Sequence, residues 1–365
     1  MLAGDFSIWN IYLKFVELTI NGIRLNDMEN LNNEILISVI MPVYNAEAFL
    51  EYSIGSVISQ TYENFELICF NDASTDNSSK ILHQFSETDK RIKVIDSPIN
   101  VKQGGGRNRA LTHAKGEYVI FLDADDALAE NALKQCVNTI NVSNVDAVFF
   151  DYAQFSSNGI QQTISPLGSD SANLTSELLK RRIVMFPTPI WTAIYRRSLI
   201  TDNNLYFPEG VFYEDNAVAL AIQLSADKAV KINQPLYHYR IDNNSVTRST
   251  DNYHFFDRIS SAETLLNHLR RLGIHEKYPD EINYLIINQY LVHTIYGAIY
   301  RFTNVEKDRI KQVRNGIKQL IPNWYQNPYW KNRPLAQKIK FTTHATMPRL
   351  IKLISNLNRH IQRLG

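Results

Sequence analysis

The chain reads as an α/β protein, a mostly parallel sheet with helices on both faces, followed by a mainly helical C-terminal region. Three observations predict this. Short apolar runs rich in β-branched residues alternate with helical-period segments across 35–152. Polar residues follow the first, second and fourth of these runs, which puts them at one edge of such a sheet. Beyond residue 253 the runs give way to stretches with apolar residues at helical spacing.

The elements follow in order. ILISVIM (35–41) is apolar throughout, as a strand covered on both faces is, and Pro42 is expected to end it. Phe49, Leu50, Ile54, Val57 and Ile58 mark a helix within 47–59. FELICF (65–70) is the second strand, and a turn-rich 71–76 follows it. Ile81, Leu82 and Phe85 share one face of a helix over 77–85. IKVI (92–95), a short helix at 105–114 and YVIFL (118–122) come next. A helix at 129–140 and the strand AVFFDY (147–152) complete the regular part. The Ser/Gly/Asn-rich 156–172 reads as a loop, with helices near 175–185 and 214–225.

The 365 residues, 44% of them hydrophobic and 21% charged, suffice for two domains and exclude a disordered chain. The two cysteines, Cys69 and Cys136, sit in apolar stretches and exclude a disulfide scaffold. The net charge of +1 conceals an asymmetry: residues 299–365 hold 14 Lys and Arg against two acids. Such a split gives body and tail different partners.

Residues 6–20 are too short to span a bilayer and lack the pattern of a secretory signal. Met28 stands just ahead of the first strand, so 1–34 is expected to be an extension. Residues 282–300 carry no Asp, Glu, Lys or Arg, but their five polar residues favour a buried helix over a membrane span.

Four motifs carry chemistry, each with an ordinary alternative. In FLDADD (121–126) Asp123 and Asp125 project to one side of an extended backbone, and hard oxygens there suit Mn²⁺ or Mg²⁺. A solvated turn capping the next helix has the same composition. In NDASTDNSS (71–79) Asp72 could accept a hydrogen bond from an imide such as that of uracil, or belong to a plain turn. QGGGRNRAL (103–111) opens a helix with glycines and cations, which favours anions; it is not a dinucleotide fingerprint, which would follow the first strand. Glu214-Asp215 begins an apolar helix, where acids suit the dipole whatever their chemistry.

Taken in order, PVYN, NDxSTD, the arginine-bearing glycine run, LDADD and YED resemble the family 2 glycosyltransferases of the Rossmann-like GT-A fold. The resemblance is dense over 35–152 and thinner to Arg248. It implies a GT-A catalytic domain at 35–250, a helical domain at 251–330 and a basic amphipathic tail at 331–365. It implies an inverting transfer of a hexose or N-acetylhexosamine from a UDP-sugar to a glycan or lipid-linked glycan acceptor in surface-polysaccharide synthesis. Pro42, Val43, Tyr44 and Asn45 would line the uracil, and Asp72 would pair with its imide. Arg107 would steady the donor. Asp123, Ala124 and Asp125 match the DXD motif, with Asp125 as direct metal ligand and Asp123 on ribose or metal. Asp215 matches the catalytic base. In YHYRIDNNSVTR (237–248), Arg240 and Ser245 would hold the diphosphate in a mobile loop, with His238 a weaker candidate. One departure is Ala193, where the family usually has Lys.

Leu350, Ile351, Leu353, Ile354, Leu357 and Ile361 lie among Arg349, Lys352, Arg359 and Arg363. That is a cationic amphipathic helix, suited to an anionic membrane surface or to packing on the body with a wet basic face. A cytoplasmic protein, peripheral on the inner face of the plasma membrane, fits this reading. Nucleic acid is not expected, since the body is acidic. The competing readings are a nucleotidyltransferase, which would carry a basic Gly-rich signature after strand one, and a non-catalytic glycan-binding relative.

Overall fold

A computed structural model describes residues 35–241 and 250–364. The strands are β1 (Ile37–Val43), β2 (Phe65–Asn71), β3 (Ile92–Asp96), β4 (Tyr118–Phe121), β5 (Ala127–Leu128), β6 (Ala147–Ser156), β7 (Gly159–Ile164), β8 (Ala193–Arg196) and β9 (Ala229–Arg240). They form one sheet in the order β3-β2-β1-β4-β8-β6-β9-β5, with β7 beside β6. The first four are parallel. Every residue of β1 and β2 is buried, which is why both read as continuous apolar runs.

The crossovers are α1 (Leu50–Ile58), α2 (Ser78–Thr88) and α3 (Lys102–His113). On α1 the buried residues are Leu50, Ser53, Ile54 and Val57, one face of a helix; each large apolar side chain contributes about 1.5–3 kcal/mol by burial. The chain steps outward from β1 to β2 to β3, then returns to β4 on the other side of β1. Right-handed crossovers therefore put α3 on the face opposite α1 and α2. The order reverses between β1 and β4, and a ligand crevice belongs at the carboxyl ends of those strands.

Beyond β4 the sheet is mixed. β8 runs antiparallel between β4 and β6, β9 runs parallel to β6, and β5 closes antiparallel on β9. Helix α4 (Ala132–Ser143) buries Cys136, and Cys69 lies buried in β2; both are free. Helices α5 (Ser176–Met185) and α6 (Ala219–Ser225) follow.

Three local expectations are corrected. Pro42 lies inside β1, paired with Phe70, instead of ending it. Ile40 faces β4, accepting from Leu122 N, and Pro42 shares that parity; pairing with β4 stops at Ile40, so the missing N–H costs no ladder bond. Residues 159–164, read as loop, are strand β7, exposed along nearly its whole length and so without an alternating pattern to betray it. The stretch 237–240, read as part of a mobile loop, is the end of β9, where Tyr237 and His238 pair with Leu128 and Ala127. Arg240 therefore leaves a sheet. Ser245 and 1–34 lie outside the described residues.

Helices α7 (Asp257–Arg271), α8 (Pro279–Ile286), α9 (Thr294–Tyr300), α10 (Lys307–Leu320), α11 (Leu335–Thr346) and α12 (Pro348–Leu364) build the C-terminal region. The chain between α8 and α9 is a π-helical stretch, Ile287–His293, and Ile282, Ile286, Ile287, Tyr290, Leu291 and Ile295 are buried, as the uncharged run required. The apolar core continues from Ile37 to Ala345. Asp257 also accepts from Phe212 N at 3.0 Å, tying α7 to the segment that carries Glu214 and Asp215.

Candidate functional site

The first turn of α3 is the hub of the site. Ahead of it, Val101 N donates to Asp72 Oδ1 at 2.6 Å. Gln103 Nε2 donates to Asp123 Oδ1 at 2.7 Å. Arg107 donates from Nη2 to Asp123 Oδ1 at 2.8 Å and from Nη1 to Glu214 Oε1 at 2.5 Å. A Cβ on Gly104 would lie 2.5 Å from the Pro208 carbonyl oxygen and 2.9 Å from Glu214 Cγ, and one on Gly106 would lie 3.1 Å from Pro42 Cβ. The glycine run is therefore a close-approach surface, on which β1, β2, β4 and the 208–215 segment meet.

The walls are stitched together. Asp72 N donates to Val43 O at 2.8 Å. Asn45 N donates to Ser74 Oγ at 3.1 Å, and Asn45 Oδ1 accepts from Thr75 N at 2.8 Å. These bonds hold PVYN against the 71–79 loop, with Tyr44 and Asn45 exposed. Asn45, Ala73, Lys102 and Tyr213 have φ of 48°, 58°, 64° and 61°, so left-handed backbone collects around this edge.

On the far side, Asp126 is buried and accepts from Tyr237 OH and Arg240 N, both at 2.7 Å. Arg240 Nε donates to Asp125 O at 2.8 Å, and its guanidinium lies 4.4 Å from the Phe155 ring. Asp123 N donates to Tyr237 OH at 3.2 Å. Trp191, from the segment preceding Ala193, stacks on Tyr237 with centroids 4.4 Å apart. Ala193 itself is buried in β8.

One buried guanidinium faces three acids. Burial works against the charge of Arg107, but Asp123, Glu214 and Asp215 outweigh it and hold its pKa above the ordinary value. A single cation cannot satisfy all three carboxylates. Burial pushes Glu214 up to about 7, with Asp215 and Asp123 adding to the rise and Arg107 opposing it. Burial likewise raises Asp215, against the pull of Arg107 and of Asn216 N, which donates to Oδ1 at 2.8 Å. Burial and the neighbouring Asp125 and Asp123 push Asp126 well above the carboxylate range. Asp72 is raised by burial despite the amides of Val101 and Lys102.

Pro42, Val43, Asp72, Arg107, Asp123 and the Glu214-Asp215 pair thus meet at one sheet edge, with Asp125 and Arg240 joined to it through Asp126. Sequence reasoning left Gln103, Glu214, Asp126 and Tyr237 without a role. Two of them carried a signal: Asp126 as the third acid of FLDADD, and Glu214 beside the base candidate.

The residues also bear on a divalent cation. Among the described residues no group of three or more His, Cys, Asp or Glu is placed to hold a metal. Asp123 and Asp125 are half-buried, but Asp126 N closes a turn on Asp123 O at 3.0 Å, so the extended backbone expected to project both to one side is not what the chain adopts there. One or two carboxylates, completed by water and substrate phosphates, are the usual donor set for Mg²⁺, and the arrangement fits that chemistry.

The sequence comparisons identify a glycosyltransferase. The model of the family "Glycosyl transferase family 2" matches residues 38–201. EpsH of Bacillus subtilis is 29% identical over 260 residues, 69% of this chain and 74% of that protein. Glycosyltransferase GlyA of Streptococcus pneumoniae is 31% identical over 221 residues, 58% of this chain and 31% of that protein. The chain thus spans less than a third of GlyA's length. The crystal structure of S. aureus TarS 1-349 in complex with UDP-GlcNAc has the same fold, with a TM-score of 0.66 over 87% of this chain and 92% of that one at 22% identity. Residues 38–201 thus match a family 2 glycosyltransferase domain.

Proposed function

We propose that the chain transfers a hexose or N-acetylhexosamine, with inversion, from a UDP-sugar to a hydroxyl of a glycan or lipid-linked glycan in bacterial surface-polysaccharide synthesis. The observation that carries the reading is Arg107, which links the acid at the end of β4 to the Glu214-Asp215 pair 91 positions later in the sequence. TarS, which shares the fold, has been crystallised with UDP-GlcNAc and with UDP.

Asp72 and the 42–45 backbone receive the uracil, with the Asp72 carboxylate accepting from the imide. Arg107 has both Nη atoms on carboxylates, so it acts on the donor by fixing Asp123. Asp215 takes the proton of the acceptor hydroxyl as it attacks the anomeric carbon; its raised pKa makes it a stronger base than an ordinary aspartate. Direct displacement needs no covalent intermediate, and the leaving UDP departs toward Arg240. Mn²⁺ or Mg²⁺ held by Asp125 and Asp123 would neutralise charge on the diphosphate. Ser245 is assigned to the same diphosphate.

No helix among the described residues is long and apolar enough to cross a membrane. Leu350, Leu353, Ile354 and Leu357 on α12 are 43–57% exposed. An unburied apolar row beside basic residues supports a peripheral role for α12 at the anionic inner face of the plasma membrane.

The test is a panel of UDP-sugars incubated with the full chain and Mn²⁺, read as slow hydrolysis, which needs no acceptor. One sugar is expected to be hydrolysed and Asp215→Asn to lower the rate about 10²–10⁴-fold with UDP affinity kept. UDP binding without hydrolysis of any sugar refutes the reading and favours a non-catalytic relative.

A further inference from the structure

The C-terminal helices frame a groove of about 990 Å³ that none of the acids of the site lines, between α10, α11 and the corner where α11 meets α12. Its floor is apolar: Leu291, Ile310, Ile317 and Phe341 are buried there, and Trp324 lies beside them. Its rim carries Lys307, Lys311, Arg314, Lys318 and Arg349 against a single lining acid, Asp308. The four α10 cations stand at i, i+4, i+7 and i+11, one face of the helix, where like charges destabilise it. None of the five forms an ion pair among the described residues, and Arg314 donates only to the Ala345 carbonyl, at 3.1 Å. A helix needing nothing but solubility would intersperse acids. The mouth also opens beside Met347 and Leu350, both exposed, and the exposed row Leu353, Ile354 and Leu357 continues from there along α12.

We infer that this groove binds one anionic phospholipid of the membrane, its phosphate on the α10 cations and an acyl chain over the apolar floor. Charge complementarity selects the headgroup, and the volume is that of a small-ligand pocket. The inference rests on the membrane reading of α12 and deepens it: α12 would bring the protein to the bilayer, and the groove would then seize a single lipid.

Calorimetry of the full chain with monomeric dihexanoyl phosphatidylglycerol tests this, with dihexanoyl phosphatidylcholine and inorganic phosphate as comparisons. Saturable one-site binding of the phosphatidylglycerol is expected, tighter than either comparison. Lys311→Gln with Lys318→Gln should weaken it about 25-fold, from about fivefold per cation, with the melting temperature unchanged. Lys307→Gln with Arg349→Gln serves as the second pair should the first melt early. Absence of saturable binding, equal binding of phosphatidylcholine or of phosphate alone, or indifference to both pairs overturns the proposal. Leu353→Glu with Leu357→Glu should abolish sedimentation with anionic vesicles yet leave short-chain binding within about twofold. If only the vesicle arm fails, α12 is not the membrane contact while the groove stands.

Discussion

Replacing Arg107 by Met keeps most of the side chain's bulk and removes its charge. Arg107 is 2% exposed and Glu214 6% exposed, so the change strands a carboxylate away from water and frees Asp123 of one of its two side-chain donors. Breaking a buried ion pair from one side costs about 3–5 kcal/mol, against a total stability of about 5–15. Removing both charges, as in Arg107→Met with Glu214→Gln, should cost far less, because nothing charged is left unpaired. The pH dependence has a definite sign. Without the cation, Glu214 binds its proton more tightly when folded than when unfolded, so folding takes up a proton and the single variant gains stability as pH falls from 8 toward 5. Urea denaturation at both pH values, followed by fluorescence and circular dichroism, reads each quantity. A single variant that loses under about 1 kcal/mol at pH 8, or a double variant no more stable than the single, would refute the charge arithmetic of the hub.

Further outcomes are expected. Asp72, Asp126, Glu214 and Asp215 all have raised pKa values, so each contributes stability that is lost as pH rises, against the opposite contribution of His238, His268, His293 and His344, which burial holds below the ordinary histidine value; Glu214→Gln should therefore make thermal melts less sensitive to rising pH near 7 than the wild type. Asp215 works deprotonated, so turnover should climb with pH on a limb displaced above the ordinary aspartate range; an unshifted limb counts against it as base. Gly104→Ala meets a backbone oxygen at 2.5 Å that cannot swing aside, and about 1–3 kcal/mol of stability together with most activity should go; an unaltered melting curve would show that the turn is not close-packed. Asp125→Asn should raise the Mn²⁺ concentration needed for half-maximal hydrolysis while leaving UDP affinity without metal within a few-fold.

The sequence carried the parallel half of the sheet because β1, β2 and β4 are buried on both faces and have no polar position to confuse the pattern. It carried Asp72 and Asp123 because each follows directly on such a run. β9 was harder to see. It contains Pro235, its pairing with β6 slips around Asp151, and its residues range from buried Ala229 to exposed Asn233. A strand that changes phase in mid-course shows no period of two, so the sequence around Tyr237 and Arg240 reads as loop. β7 was missed for want of burial. The role of Arg107 depended on Glu214, over a hundred positions away, and no local spacing could announce that pairing.

A single helical turn that touches three strand ends and the 208–215 segment leaves the protein engineer little freedom there. Any exchange within 103–107 shifts several acids together, whereas Tyr44, half in solvent at the lip, can be varied with the turn left as it is. Libraries aimed at a new donor base should randomise the lip and spare the turn.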